Sequence, residues 1–537
     1  MMLLFFRITQ AIFFLVVSLT ATITFAQQTD YGKTTFPNSG KPEAQEVFLQ
    51  GLLMLHSFQY EDARESFQEA QAIDPDFAMA YWGEAMTHNH PVWFRQDRET
   101  ARAALAKLGK TPEARLAKAA TEREKDYLRT LDVLFGDGEK KARDFKYAEA
   151  IAKLAAKYPD DLNAAAFHAV ALLGTSHDGR DFSIYMKAAS VVEEVFAKNP
   201  QHPGAAHYLI HSYDDPIHAP LGLRPARVYA KLAPSASHAL HMPSHIFFAL
   251  GMWEEATASN INAYNAAKNR AERKEIPLTG HGFHALSWLL YSNLQQAQYA
   301  DAGKLLDTVE GHYQSSNIKR RARHTVIRMN ATFAYETQRW AHEMNRAGIK
   351  ESDMGIETAS AYFFVQGVAA LNKENLPAAK QALAQMKEKA DSSEKAKVDR
   401  GAEALRLELA ALIQLQEGNQ ETAIDLLKQA TAIEDQMPLD FGPPWPMKPS
   451  HELFGEVLLE LNRPAEAMQQ FELALKRTPR RAFSLLGLAR AVSRSGDNET
   501  AQKIYRELNE IWHNADRELP ALNEVRAALG LTHAGSQ

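Results

Sequence analysis

Between His202 and His245 the chain places seven histidines (His202, His207, His211, His218, His238, His241 and His245) together with the acidic pair Asp214 and Asp215. A further pair, His281 and His284, follows in GHGFHALSWLLY. Imidazole can ligate zinc, copper, iron or nickel, and it can equally satisfy a buried carbonyl or carboxylate. Spacing makes the first chemistry concrete. His207 and His211 are four residues apart, as are His241 and His245, so a helix stacks each pair on one face. Such a pair is a bidentate start for a metal site. His207, His211, His241 and His245, with Asp214 as ligand or outer-sphere partner, would make a set for a divalent transition metal. An open position on such an ion could activate water. No HExxH glutamate accompanies the pairs, so no metalloprotease signature is met.

The competing reading is packing and capping. His202 before Pro203 and His218 before Pro220 read as loop residues, and Asp214-Asp215-Pro216 reads as a helix stop followed by a turn. Met242-Pro243-Ser244 as a first helical turn would take His238 and His241 out of the helix that carries His245.

The elements that must position these residues are helical hairpins. The tetratricopeptide pattern asks for a small residue at position 8, Ala at 20, an aromatic at 24, Ala at 27 and Pro at 32. Gly51, Ala63, Phe67, Ala70 and Pro75 meet it, as do Gly455, Ala467, Phe471, Ala474 and Pro479. Ala489, Ala501 and Tyr505 continue the second set about one 34-residue period later. Weaker matches stand at Gly367 and Ala379, and at Ala411, Ala423, Leu427 and Ala430. The expected fold is all-α, a right-handed solenoid of such hairpins. In this architecture first helices line a concave groove, so His168, His207, His211, His238, His241, His245 and His284 would form one row across it. Trp445, in the proline loop FGPPWPMKPSHE, would be presented nearby.

Weaker candidates lie outside the row. His88 and His90, beside Trp82 and Trp93, read first as a capped helix end. His177 to Asp181 reads as a polar loop, and His451 with Glu452 and Glu456 as a helix start. The run Lys319, Arg320, Arg321 and Arg323 reads as a solvated face.

The expected organisation is a signal peptide over 1–26, a linker over 27–41 and a first repeat over 42–95. A charged helical insertion on the outer face would cover 96–160, and histidine-rich degenerate repeats 161–312. Further repeats over 313–440, the proline loop over 441–450 and C-terminal repeats over 451–530 would complete the chain. The leader rests on Arg7, an apolar run to about Ile23, and Thr24 and Ala26 before the cut. Export to the periplasm or medium follows, with no membrane-spanning segment in the mature chain. With no cysteine, disulfides and thiol catalysis are excluded. At 45% apolar and 23% charged residues the chain is a folded protein, and a net charge of -6 argues against nucleic acid as a partner. No phosphate-binding glycine loop, GxSxG elbow or dinucleotide fingerprint occurs.

Several segments resemble a family of exported bacterial tetratricopeptide proteins with no assigned reaction. They are AYWGEAMTHNHPVW, the stretch from GAAHYLIHSYDDPIHAPLGLRPARVYAKLAPSASHALHMPSHIFFALGMW, FHALSWLLYSNLQ, and GPPWPMKPSHELFGEVLLELNRPAEAMQQFELAL with SLLGLARA. The resemblance implies an all-helical repeat fold and no activity. Two functions therefore stand: a scaffold binding a protein, peptide or small ligand in its groove, or a metal carrier or metal-dependent hydrolase built on the central histidines.

Overall fold

The computed structural model describes residues 31–531 apart from 279, 316–318, 343, 345–346, 393, 395–397 and 518, so the expected signal peptide lies outside the described residues. The described chain is all-α and built from paired helices. The first pair is α1 (Pro42–His56) with α2 (Tyr60–Ile73), followed by α3 (Ala78–Met86), α4 (Arg98–Leu108) and the short α5 (Pro112–Leu116). Next come α6 (Glu122–Leu134) with α7 (Lys140–Lys157), α8 (Leu162–Leu173) with α9 (Phe182–Lys198), and α10 (Pro203–Tyr213) with α11 (Ala219–Leu232). Then α12 (Ser237–His241) and α13 (Pro243–Leu250) pack on α14 (Trp253–Arg273), α15 (Gly280–Gln295) packs on α16 (Tyr299–Ser315), and α17 (Lys319–Glu336) follows. The remaining pairs are α18 (Ile356–Leu371) with α19 (Leu376–Asp391), α20 (Arg400–Gln416) with α21 (Gln420–Asp435), α22 (Ser450–Glu460) with α23 (Pro464–Arg477), and α24 (Ala482–Arg494) with α25 (Asn498–Ile511). Helix α26 (Pro520–Ala528) closes the stack.

The repeat residues act through close approach. Phe67 is fully buried between Gly51 of its own repeat and Gly83 of the next, where a Cβ would come within 3.0 and 2.4 Å of the ring. Phe471 lies in the same way between Gly455 and Gly487. Small residues on neighbouring first helices thus make the slot that the aromatic fills.

The segment 96–160 differs from expectation. Rather than sitting outside the array, α4 packs on α3 and α7 packs on α8. Tyr127, Leu128, Leu131 and Leu134 recur as one stripe of α6 and join the main core, so the many charges fall on the opposite face.

The array also folds back on itself. The Trp253 indole N–H donates to the Arg480 carbonyl at 3.0 Å, and that of Trp512 donates to the Gln295 carbonyl at 3.0 Å. Asp516 N–H donates to the Ala297 carbonyl at 3.1 Å. At the other end Arg270 of α14 holds Asp62 of α2 at 2.7 Å.

Candidate metal centre

Helix α10 is buried along its whole length, Pro203 to Tyr213. Its start is fixed by Pro203 in the first turn and by His202, whose Nδ1 accepts from Ala205 N–H at 3.2 Å. At its end Asp215 Oδ1 accepts from the N–H groups of Ile217 and His218 at 2.9 and 3.1 Å, which turns the chain and leaves Asp214 facing inward. Two turns of this helix present His207 and His211. The neighbouring first helix is broken at Met242-Pro243, yet His241 before the break and His245 after it still meet.

His207, His211 and His238 form one triad, and His241, His245 and His284 a second, each with three candidate ligand atoms within 4.8 Å of one another. His284 is exposed, while the other five are at most 3% exposed. His207 Nδ1–H donates to the His56 carbonyl at 2.7 Å, leaving Nε2 to face His238 Nε2 at 3.0 Å. His211 Nδ1 faces Asp214 Oδ2 at 3.4 Å, and its buried Nε2 has no hydrogen-bond partner among the described residues.

The second triad is more constrained. His245 Nδ1–H donates to Asp214 Oδ2 at 2.8 Å. His241 Nδ1–H donates to Asn260 Oδ1 at 2.7 Å, and the Asn260 amide is oriented by donating Nδ2–H to the Ala256 carbonyl at 2.8 Å. Both Nδ1 atoms are therefore committed as donors, and the two Nε2 lone pairs stand 3.1 Å apart. Two such acceptors approach this closely when a cation, a proton on one ring or a metal ion, lies between them. Nitrogens bound to one tetrahedral zinc at about 2.0–2.1 Å stand about 3.3 Å apart.

Burial disfavours charge on four of these rings. Burial pushes His207, His238 and His241 well below the ordinary imidazole range, with neighbouring histidines acting in the same direction. Burial lowers His245 to about 4 against the opposing bond to Asp214. For Asp214 burial acts upward, but the Arg180 guanidinium and the bonds from His211 and His245 outweigh it and hold the carboxyl far below its usual range. Arg180, 3% exposed, pairs with Asp214 and lies 3.1 Å from Asp215. A carboxylate that fixes a ring from behind is the usual second sphere of a histidine-bound metal.

Aromatic rings wall the site. Trp288 stacks on His245 with centroids 4.7 Å apart, Phe441 lies 4.5 Å from His245, and Trp93 stands edge-on to His238 at 5.8 Å. Gly442, at φ 94°, lies against the Trp288 indole, where a Cβ would come within 2.5 Å.

Other expected residues lie elsewhere. His168 is half-buried on α8, lowered by burial and then by the Lys187 ammonium of α9, and it joins neither triad. Trp445 is also away from the histidines: its indole N–H donates to Asp399 at 3.2 Å and its ring lies 4.7 Å from the Arg328 guanidinium. The proline loop presents Phe441 to the site instead. The row is not an open surface either, since a side-by-side stack that folds back buries its inner face. His451 is buried, bonded to Gln470 and Asp435, rather than a solvated helix start. Sequence reasoning missed His56, Asn260, Trp288 and Phe441 and treated Arg180 as loop. Only the clustering of Arg180 with His177 and Asp181 hinted at it.

No protein-family model matches the chain, and no curated protein matches it. Among solved structures, the human IFIT1 dimer with PPP-AAAA aligns over 87% of this chain and 90% of its own, at 14% identity and a TM-score of 0.37. The APC/C Cut9–Hcn1 hetero-tetramer covers 93% and 78%, at 12% identity and 0.32. A tetratricopeptide repeat protein from Parabacteroides merdae covers 56% and 98%, at 12% identity and 0.30. Such distant likenesses say nothing of what this chain binds.

A second histidine network flanks the site. His56 Nε2–H and His202 Nε2–H both donate to Asn163 Oδ1, at 3.1 and 3.2 Å, and the Tyr208 hydroxyl donates to His56 Nδ1 at 3.1 Å. Burial lowers His56 from 6.5 to about 4 against the Asn163 bond. Between those values the unfolded chain takes up a proton that the folded ring refuses. Its contribution to stability is complete above 6.5 and is lost as pH falls through the window. In metal-free protein, the stability gap between wild type and His56→Gln should therefore shrink from pH 7 to pH 4.5 in urea unfolding. A gap independent of pH would contradict this.

Proposed function

We propose that this helical repeat scaffold is a metal-binding protein whose buried core holds a histidine-ligated divalent transition metal. The observation that carries the reading is the facing pair His241 Nε2 and His245 Nε2, 3.1 Å apart, with both Nδ1–H groups committed to Asn260 and Asp214. Burial narrows the ligand class: five of the six histidines are closed off from any peptide-sized partner, so what binds among them is ion-sized. Neutral nitrogen donors without thiolate suit zinc, copper, nickel or iron(II). On this reading the scaffold's binding role lies in its core rather than along an open groove.

The N-terminal pattern supports a mature protein outside the cytoplasm, cleaved after Ala26. Among the described residues no helix is long and apolar enough to cross a membrane. Mature protein purified without a histidine tag should carry near-stoichiometric transition metal by elemental analysis. The His241→Ala, His245→Ala double variant should carry less metal than the wild type, and stripping the wild type with chelator should lower its melting temperature. Metal-free protein that takes up none when offered zinc or copper would sink the reading.

A further inference from the structure

The two triads abut. Ring centroids of His211 and His245 are 5.4 Å apart and those of His238 and His241 6.3 Å, and Asp214 Oδ2 faces one histidine of each triad. The first triad has the unpartnered His211 Nε2, and the second has the paired lone pairs of His241 and His245. Each is thus a ligand set in its own right.

Charge then decides what else must enter. Neither triad contains a carboxylate. The nearest acids, Asp214 and Asp215, are already turned to the Arg180 guanidinium, and Asp215 also accepts from His218 Nδ1 at 2.9 Å. Two divalent ions would bring four positive charges into a buried site with little protein charge to offset them, which is costly. Three imidazoles also do not complete even a four-coordinate shell. His284 is exposed and Trp93 is 37% exposed, while Trp288 packs on His245 and His284 and Phe441 on His245.

We propose that the site holds two transition-metal ions, one per triad, and takes up a small anion that ligates both. This rests on the metal-binding reading above. The anion supplies a further ligand and negative charge together, whereas Asp214, the carboxylate that faces a histidine of each triad, is already paired with Arg180.

The test uses the metal-free full-length mature chain, titrated with copper(II) and then with azide. The expected result is two coppers per chain and, on adding azide, a new azide-to-copper charge-transfer band. Replacing exposed His284 leaves no cavity, so His284→Ala should keep the wild-type circular dichroism while its second copper binds at least about 10-fold more weakly. One copper per wild-type chain, or two whose spectrum azide leaves unchanged, would overturn the two-ion proposal but leave the metal reading standing. No copper at all would overturn both.

Discussion

Arg481→Ala should cost about 3–5 kcal/mol of unfolding free energy, the usual range for removing one partner of a buried ion pair. The side chain is fully buried. Its Nε–H and Nη2–H donate to the Glu452 carboxylate at 2.8 and 2.9 Å, another Nη2–H to Glu336 at 2.6 Å, and Nη1–H to the Tyr291 hydroxyl at 2.6 Å. Lys448, also buried, meets Glu452 at 2.8 Å and Glu456 at 2.7 Å. Burial acts upward on Glu452, but Arg481 and Lys448 outweigh it and lower the group to about 2. Glu336 is raised, because burial exceeds the help it receives from Arg481. Losing the guanidinium leaves Glu336 without its cation and Glu452 with Lys448 alone. If that uncompensated charge is the origin of the loss, Arg481→Met with Glu336→Gln should recover part of it. Denaturant unfolding of the three proteins decides the matter, and a loss below about 1 kcal/mol for Arg481→Ala would refute the account. Arg481→Lys should also be damaging, since an ammonium cannot reproduce the fork.

Asp214→Asn should weaken metal binding by about 10- to 100-fold while leaving all six imidazoles in place, as losses of outer-sphere carboxylates do. Asp214 Oδ2 meets Nδ1 of both His211 and His245, so one substitution loosens a ring in each triad. Asparagine can offer its oxygen to only one of them without the charge, and Arg180 loses half of its partner set. Asp215→Asn is the informative companion. Asp215 holds the turn, Arg180 and His218 but touches no triad histidine, so its loss should lower stability and spare affinity. Competition titrations against a chelator of known affinity would separate the two. Equal affinities for Asp214→Asn and wild type would remove Asp214 from the site's second sphere.

What the sequence made legible was local. Gly51 with Phe67 and Gly455 with Phe471 announce hairpins because a small residue and an aromatic at fixed offsets are what a close helix crossing requires. The i, i+4 pairs His207–His211 and His241–His245 announce shared helix faces, and the second pair meets even across the break at Met242. The rest depends on contacts with no local signature. Arg180 reaches Asp214 from the turn before α9, and Trp93 reaches His238 from a two-stranded turn after α3. Phe441 lies about two hundred positions beyond His245, and its place follows from how the array closes. Trp445 was the more conspicuous ring in that loop, yet a four-residue difference sends it to Asp399 instead.

That closure has a consequence for how the molecule comes apart. A repeat array with free ends frays inward from its termini, because each unit answers only to its neighbours. Here Trp253 is latched to Arg480, Gln295 to Trp512 and Asp62 to Arg270, so distant repeats share their fate. Trimming the last two hairpins would not leave a shorter rod of the same material. It would unlatch the central helices that carry the histidines, and calorimetry of the intact chain should show one cooperative transition where an open array would melt in stages.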